Sequence, residues 1–149
     1  MIVYLNAQGK LTKDCTKTHL TYRFDVTEDI KTLCIQFSFS PPHLEDEAAS
    51  EAIIYQCLKE QGIDVATLHD LSDFMPIKNY LTLSLDDPNG FRGAGHRHMT
   101  KQRVCVSDHG ATPGFIQGEL PCGQWAVTIS VHAVVTELCN YTIKVYGEA

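Results

Sequence analysis

The chain has 149 residues, with 12 Lys and Arg against 18 Asp and Glu for a formal net charge of −6. That length suits one domain with a continuous core, here residues 1–149, and the acidic balance argues against a broad nucleic-acid or anionic-lipid surface. No stretch approaches the ~18 apolar residues that a membrane-spanning helix needs.

In chain order, "IVYLNA" reads as a first strand closed by a Gln8-Gly9 turn. "HLTYRFDV" alternates, with Leu20, Tyr22, Phe24 and Val26 on one face, and "TLCIQFSFS" does the same with Leu33, Ile35, Phe37 and Phe39. Pro41-Pro42 ends that strand, since proline cannot donate to a ladder. Residues 44–62 break the rhythm: acidic residues in the first turn, Lys59 near the end and Gly62 after it predict a helix. Its apolar stripe is Ala49, Ile53, Cys57 and Leu58, placed to lie against a sheet. The stretch "IDVATLHDLSDFMPIK" has no sustained period and reads as loop. Strands resume at "NYLTLSLDD", with Leu81, Leu83 and Leu85 opposing Tyr80, Thr82, Ser84 and Asp86, and Asp87-Pro88-Asn89-Gly90 has turn chemistry. "QRVCVSD", "GQWAVTISVHAVV" and "CNYTIKVYG" complete the set. Short alternating strands with turn signals between them predict an all-β fold, an antiparallel, jelly-roll-like β-sandwich with one helical insertion.

Six cysteines, at 15, 34, 57, 105, 122 and 139, include no Cys-x-x-Cys pair. Cys34 and Cys105 alternate with apolar neighbours as small buried hydrophobes do. The opening "MIVYLNAQGK" lacks the pattern of a secretory leader. Reduced thiols and a cytoplasmic location are therefore expected.

Candidate chemistry concentrates between Gly90 and Trp125. His96 and His98 lie two apart, so on a strand both project from one face, a spacing that metal sites use. A cupin-like metal enzyme would draw on His96, His98, Asp108 and His109 with a divalent metal as cofactor. Yet Gln102 stands where a cupin has a ligating Glu, Ala126 where it has a third His, and flanking Arg92, Arg97 and Arg103 repel a cation. No nucleophile elbow, zincin helix or phosphate-binding glycine loop occurs. Cys105 with His109 makes a poor catalytic pair, because a thiol buried in a strand is inert. A third reading is a carbohydrate- or anion-binding module using Arg92, His96, Arg97, His98, Lys101 and Arg103, a basic patch on an acidic chain.

The turns around this run carry a resemblance. "LTLSLDDPNGFRG" holds a Leu-x-Asp-Pro-x-Gly turn at Leu85–Gly90 followed by Phe91-Arg92-Gly93. "ATPGF" at Ala111–Phe115 then leads to Gly-x-Leu-Pro-x-Gly-x-Trp at Gly118–Trp125. Together with "YRFDVTEDIKTLCIQFSFSP", these segments resemble the N-terminal β-sandwich domain of CehA/McbA-type PHP metallophosphoesterases. In that group hydrolysis belongs to a following PHP domain that opens with a His-x-His near a Ser-Asp-Gly. His96-Arg97-His98 lies inside the sandwich portion without the Ser-Asp-Gly and does not stand for that motif. The resemblance thus implies a non-catalytic accessory module with no cofactor, partnered by a PHP-domain protein or by itself, and the acidic balance and missing apolar span add the expectation of no nucleic-acid or membrane partner. In that reading Gly114, Gly118 and Gly123 permit tight turns, Trp125 buries its ring between the sheets with its indole N–H seeking an acceptor, and Phe91 and Phe115 plug one end of the core.

Overall fold

The computed structural model describes residues 1–63, 75–95 and 99–149. Eight strands form two four-stranded antiparallel sheets: β1 (Ile2–Leu11), β2 (Thr18–Val26), β3 (Thr32–Ser40), β4 (Tyr80–Asp87), β5 (Gly90–Gly95), β6 (Lys101–Ser107), β7 (Gly123–Ala133) and β8 (Cys139–Glu148). One sheet runs β1-β8-β3-β6 and the other β2-β7-β4-β5. Pairs 1–8, 2–7, 3–6 and 4–5 nest one inside another, as in a single long hairpin with the β4–β5 turn at its tip. Rolled up so that β3 meets β8 and β4 meets β7, that ribbon becomes a two-layer jelly roll. The expected sandwich is what the chain forms.

The alternating faces fall as the sequence predicts. Phe24, Val26, Leu33, Ile35, Phe37, Phe39, Leu81, Leu83 and Leu85 are all buried, and Trp125 is wholly enclosed among them. Tyr4, Phe24 and Trp125 stack in series, with centroids 5.9 and 6.5 Å apart. Each large side chain so enclosed is worth about 1.5–3 kcal/mol of transfer free energy. At the far end, buried Asn79 ties three connections together. Its Nδ2 donates to the Pro41 carbonyl and Thr136 Oγ1, each at 2.9 Å, and its Oδ1 accepts from Val135 N at 2.7 Å.

Three expectations need correction. Gln8-Gly9 is no turn: β1 runs through to Leu11, and a Cβ on Gly9 would lie 2.5 Å from the Tyr141 hydroxyl oxygen and 2.6 Å from its ring. Cys34 and Cys105 are not free thiols but a disulfide, since register sets them directly opposite on β3 and β6 with Cα atoms 4.1 Å apart. Gly90–Gly95 forms a further strand, although half its residues are glycine, because its ladder to β4 is complete enough to hold it. The helix α1 spans Glu47–Glu60, and Ser50, Ile54 and Leu58 form its buried face while Cys57 is exposed.

Two adjacent isoleucines made that helix face ambiguous, and small Ser50 settles it. Ile54 and Leu58 pack on Met75 and Ile77, in a cluster separate from the sandwich core. Asp46 caps the helix by accepting from Ala49 N at 3.1 Å. Gly62, at φ +75°, ends it with Ile63 N donating back to the Leu58 carbonyl at 2.9 Å. Most of the expected loop, 64–74, lies outside the described residues.

Candidate functional site

The motif-bearing stretch 108–122, between β6 and β7, is a strap laid across the edges of both sheets. On the β6 side, Thr112 N donates to the Cys105 carbonyl, and Gly118 N to the Ser107 carbonyl, each at 2.9 Å. On the β5 side, Ala94 N donates to the Gly114 carbonyl at 3.1 Å and Ile116 N to the Arg92 carbonyl at 2.9 Å. Backbones come this close only because Gly93 and Gly114 lack side chains. A Cβ on Gly93 would sit 2.4 Å from the Phe115 Cα, and one on Gly114 would sit 2.6 Å from the Ala94 carbonyl oxygen. Both residues also hold positive φ, +125° and +94°, which disfavours any replacement. The strap thereby covers two edges that would otherwise present unpaired backbone groups.

Arg92 is the pin of this end. It is 5% exposed, and its guanidinium lies 5.4 Å from the Trp125 ring centroid. Nε donates to the Ile116 carbonyl at 3.0 Å, Nη1 to Asp87 Oδ2 at 3.0 Å and to the Glu119 carbonyl at 2.7 Å, and Nη2 to the Gly118 carbonyl at 3.2 Å. The Asp87 side chain is 9% exposed, and its Oδ1 accepts from the backbone of Asn89 and Gly90. Trp125 completes the end, donating from Nε1 to the Pro121 carbonyl at 2.9 Å. Gly118 and Gly123 take positive φ of +158° and +135°, and Phe115 is buried in the core.

Arg92 does not belong to a recognition surface: its donors are spent inward on the strap. Phe91 does not plug the core either. It is 61% exposed, because the β4–β5 ladder slips by one residue between Leu85 and Asp86. His96, Arg97 and His98 lie outside the described residues. Asp108 and His109 sit together at an exposed turn, His109 Nε2 lying 3.3 Å from Asp108 Oδ1. Among the described residues no three His, Cys, Asp or Glu side chains converge as metal ligands. Gln102 faces inward; its Nε2 donates to the Met99 carbonyl at 3.1 Å and its buried Oε1 has no partner.

Arg103 is different, and it leads to residues that sequence reasoning missed. It projects from the outer face of the β1-β8-β3-β6 sheet, where register builds rows across the strands. One row is Asn6, Lys144, Gln36 and Arg103, and the next is Gln8, Thr142, Ser38 and Lys101. A third holds Lys10, Asn140 and Ser40. Short Ser38 and Thr142, hydroxyl to hydroxyl at 2.7 Å, leave a trough between the longer side chains. A hollow of about 510 Å³ opens there, and a second of about 320 Å³ around Lys10 and Asn140 adjoins it at Thr142.

Buried Tyr146 ends the trough. Arg103 Nε donates to its hydroxyl at 3.1 Å, and Lys144 Nζ lies 5.8 Å from its ring centroid. Two cations are thus drawn to one ring. The ion pairs of the described residues are His43–Glu45, Arg92–Asp87 and His109–Asp108, so Lys10, Lys101, Arg103 and Lys144 have no carboxylate partner among those residues. Only cross-strand register could have gathered them, since Lys10 and Lys144 lie far from the Arg92–Arg103 run in sequence.

No protein-family model matches the chain, and no curated protein matches it.

Proposed function

We propose that the chain is a non-catalytic β-sandwich module of the kind that precedes PHP phosphoesterase domains, acting through interaction with a PHP-domain protein, through self-association or through ligand presentation. One observation carries this reading. The Asp87 turn and the 108–122 strap, which supply much of the resemblance, are consumed in closing the fold, with Arg92 bound to three strap carbonyls and the Asp87 carboxylate. Groups so fully engaged have no capacity left for a substrate. The free polar chemistry of the described residues lies instead on an open sheet face, which suits binding better than catalysis.

The disulfide bears on location. No helix of the described residues is long and apolar enough to cross a membrane. A Cys34–Cys105 bond persists best in oxidising surroundings, which favours such a compartment over the cytoplasm expected from the sequence.

The test is direct. Purified protein supplied with Mn²⁺ or Zn²⁺ is expected to leave phosphomonoesters and phosphodiesters intact and to carry no stoichiometric metal by elemental analysis. Hydrolysis at enzyme-like rates, or bound metal lost in a His96→Ala/His98→Ala variant, would establish the cupin-like alternative instead. Light scattering on the same sample separates self-association from a hetero-partner.

A further inference from the structure

We infer that the trough on the outer face of the β1-β8-β3-β6 sheet binds an acidic oligosaccharide, a chain of sugars bearing sulfate or carboxylate groups. The inference deepens the binding-module reading and rests on it only for purpose, since the site's geometry stands without a PHP partner.

Charge is the first argument. The chain carries a net −6, yet this face gathers Lys10, Lys101, Arg103 and Lys144 with no acidic residue among their row neighbours. Like charges brought together without counter-charges raise one another's energy, and an anion that neutralises them recovers it. Among the described residues Arg103 keeps both Nη groups free after its Nε has gone to Tyr146, which suits a two-point grip on an oxyanion.

Spacing is the second. Arg103 and Lys144 stand two strands apart, about 10 Å, and Arg103 and Lys101 two residues apart, about 7 Å. Charges at such intervals meet a ligand whose anionic groups recur along its length rather than a single ion. The two adjoining hollows extend the path past Thr142 towards Lys10.

The lining is the third. Between the cations stand planar amides and hydroxyls, Asn6, Gln36, Ser38 and Thr142, which donate to and accept from sugar hydroxyls. Single-stranded nucleic acid needs exposed aromatic platforms. The tyrosine of this face, Tyr146, is buried and offers no stacking surface.

The experiment titrates the intact protein by calorimetry at fixed salt with four probes: a heparin tetrasaccharide, a tetragalacturonate, neutral cellotetraose and an eight-residue oligothymidylate. Amide shifts of the unmodified protein are followed by NMR with the same probes. Binding of the sulfated or the uronate tetrasaccharide is expected, with shifts confined to β1, β3, β6 and β8, and whichever binds tighter identifies the anionic group. The triple variant Lys101→Gln/Arg103→Gln/Lys144→Gln should lose at least tenfold in affinity. The charge-matched Arg23→Gln/Lys31→Gln/Lys59→Gln, away from the trough, should lose no more than about twofold.

Equal losses in the two triples would reduce the effect to unspecific attraction and overturn the site. So would equal affinity for cellotetraose, preference for the oligothymidylate, shifts elsewhere on the protein, or no binding of either acidic probe. Because the NMR map needs no variant, a misfolded triple leaves the outcome decisive. None of these results alters the hydrolysis and metal assays, so failure of the glycan site and failure of the non-catalytic reading are separately visible.

Discussion

Arg92 and Arg103 are eleven residues apart in one basic run, and the fold treats them in opposite ways. Arg92 is enclosed, with four hydrogen bonds and an indole face around its guanidinium. Arg103 stands on an open sheet, with one hydrogen bond to a tyrosine hydroxyl and no ion pair among the described residues. The strap end uses charge to hold backbone carbonyls that have no ladder partner. The trough leaves charge unspent. Binding capacity follows the unspent donors, so equal residues in one sequence patch divide between architecture and recognition.

The comparison breaks most visibly at Arg92. Arg92→Ala leaves the largely enclosed Asp87 carboxylate without its counter-charge and orphans three carbonyls, so a loss of about 3–5 kcal/mol in urea unfolding is expected. A loss below about 1 kcal/mol would mean the strap holds itself. The disulfide comes next. It closes a span of 71 residues and fastens edge strand β6, and Cys34→Ala/Cys105→Ala should cost about 2–4 kcal/mol. The same loss should follow from a reductant acting on the unmodified protein, and insensitivity to reductant would argue that the bond does not form in solution.

Gly93→Ala tests the close approach of strap and β5. Its Cβ meets backbone rather than a movable side chain, so about 2–3 kcal/mol is expected, with aggregation as the uncovered edges become available.

A smaller effect is readable in alkali. Burial first, and then its hydrogen bond to Glu28, push the Tyr4 hydroxyl up to about 12. Tyr141 is raised as well, by burial and by the Tyr22 hydroxyl 2.6 Å away. Both groups hold their protons longer folded than unfolded. Their contribution is complete below pH ~10, the ordinary tyrosine value, and is lost as pH rises through the folded values. Urea midpoints should therefore fall above pH ~10, and less steeply in Tyr4→Phe. The smallest effect sharpens the comparison at its other pole: Arg103→Gln should change stability by less than about 0.5 kcal/mol, against the large loss at Arg92.

Much of the fold was legible. Period-2 alternation located β2, β3, β4, β6, β7 and β8, because one buried face per strand writes itself directly into sequence. Trp125 with its needed acceptor was legible for the same reason. β5 was hidden, since three glycines in six residues erase the alternation, and they are there for the strap. The helix was found but its buried face was not, because Ile53 and Ile54 compete and the packing partners Met75 and Ile77 lie in a segment without period. The disulfide was missed because opposition of Cys34 and Cys105 is a property of register. The trough was missed likewise: Lys101 and Arg103 were noticed as charge, but Lys10 and Lys144 join them only through pairings spanning most of the chain.

The nested pairing of the strands also governs how the chain must fold. Its outermost ladder joins Ile2 to Gly147, whereas the innermost turns over two residues between β4 and β5. Contacts so distant in sequence carry a large loop-closure entropy, which places such a topology among slow folders, in milliseconds to seconds. The β4–β5 hairpin is the local contact available first, and zippering outward from it leaves the β1–β8 pair to dock last. The trough spans β1, β8, β3 and β6, so the surface offered to a ligand comes into being only when the final strands have closed.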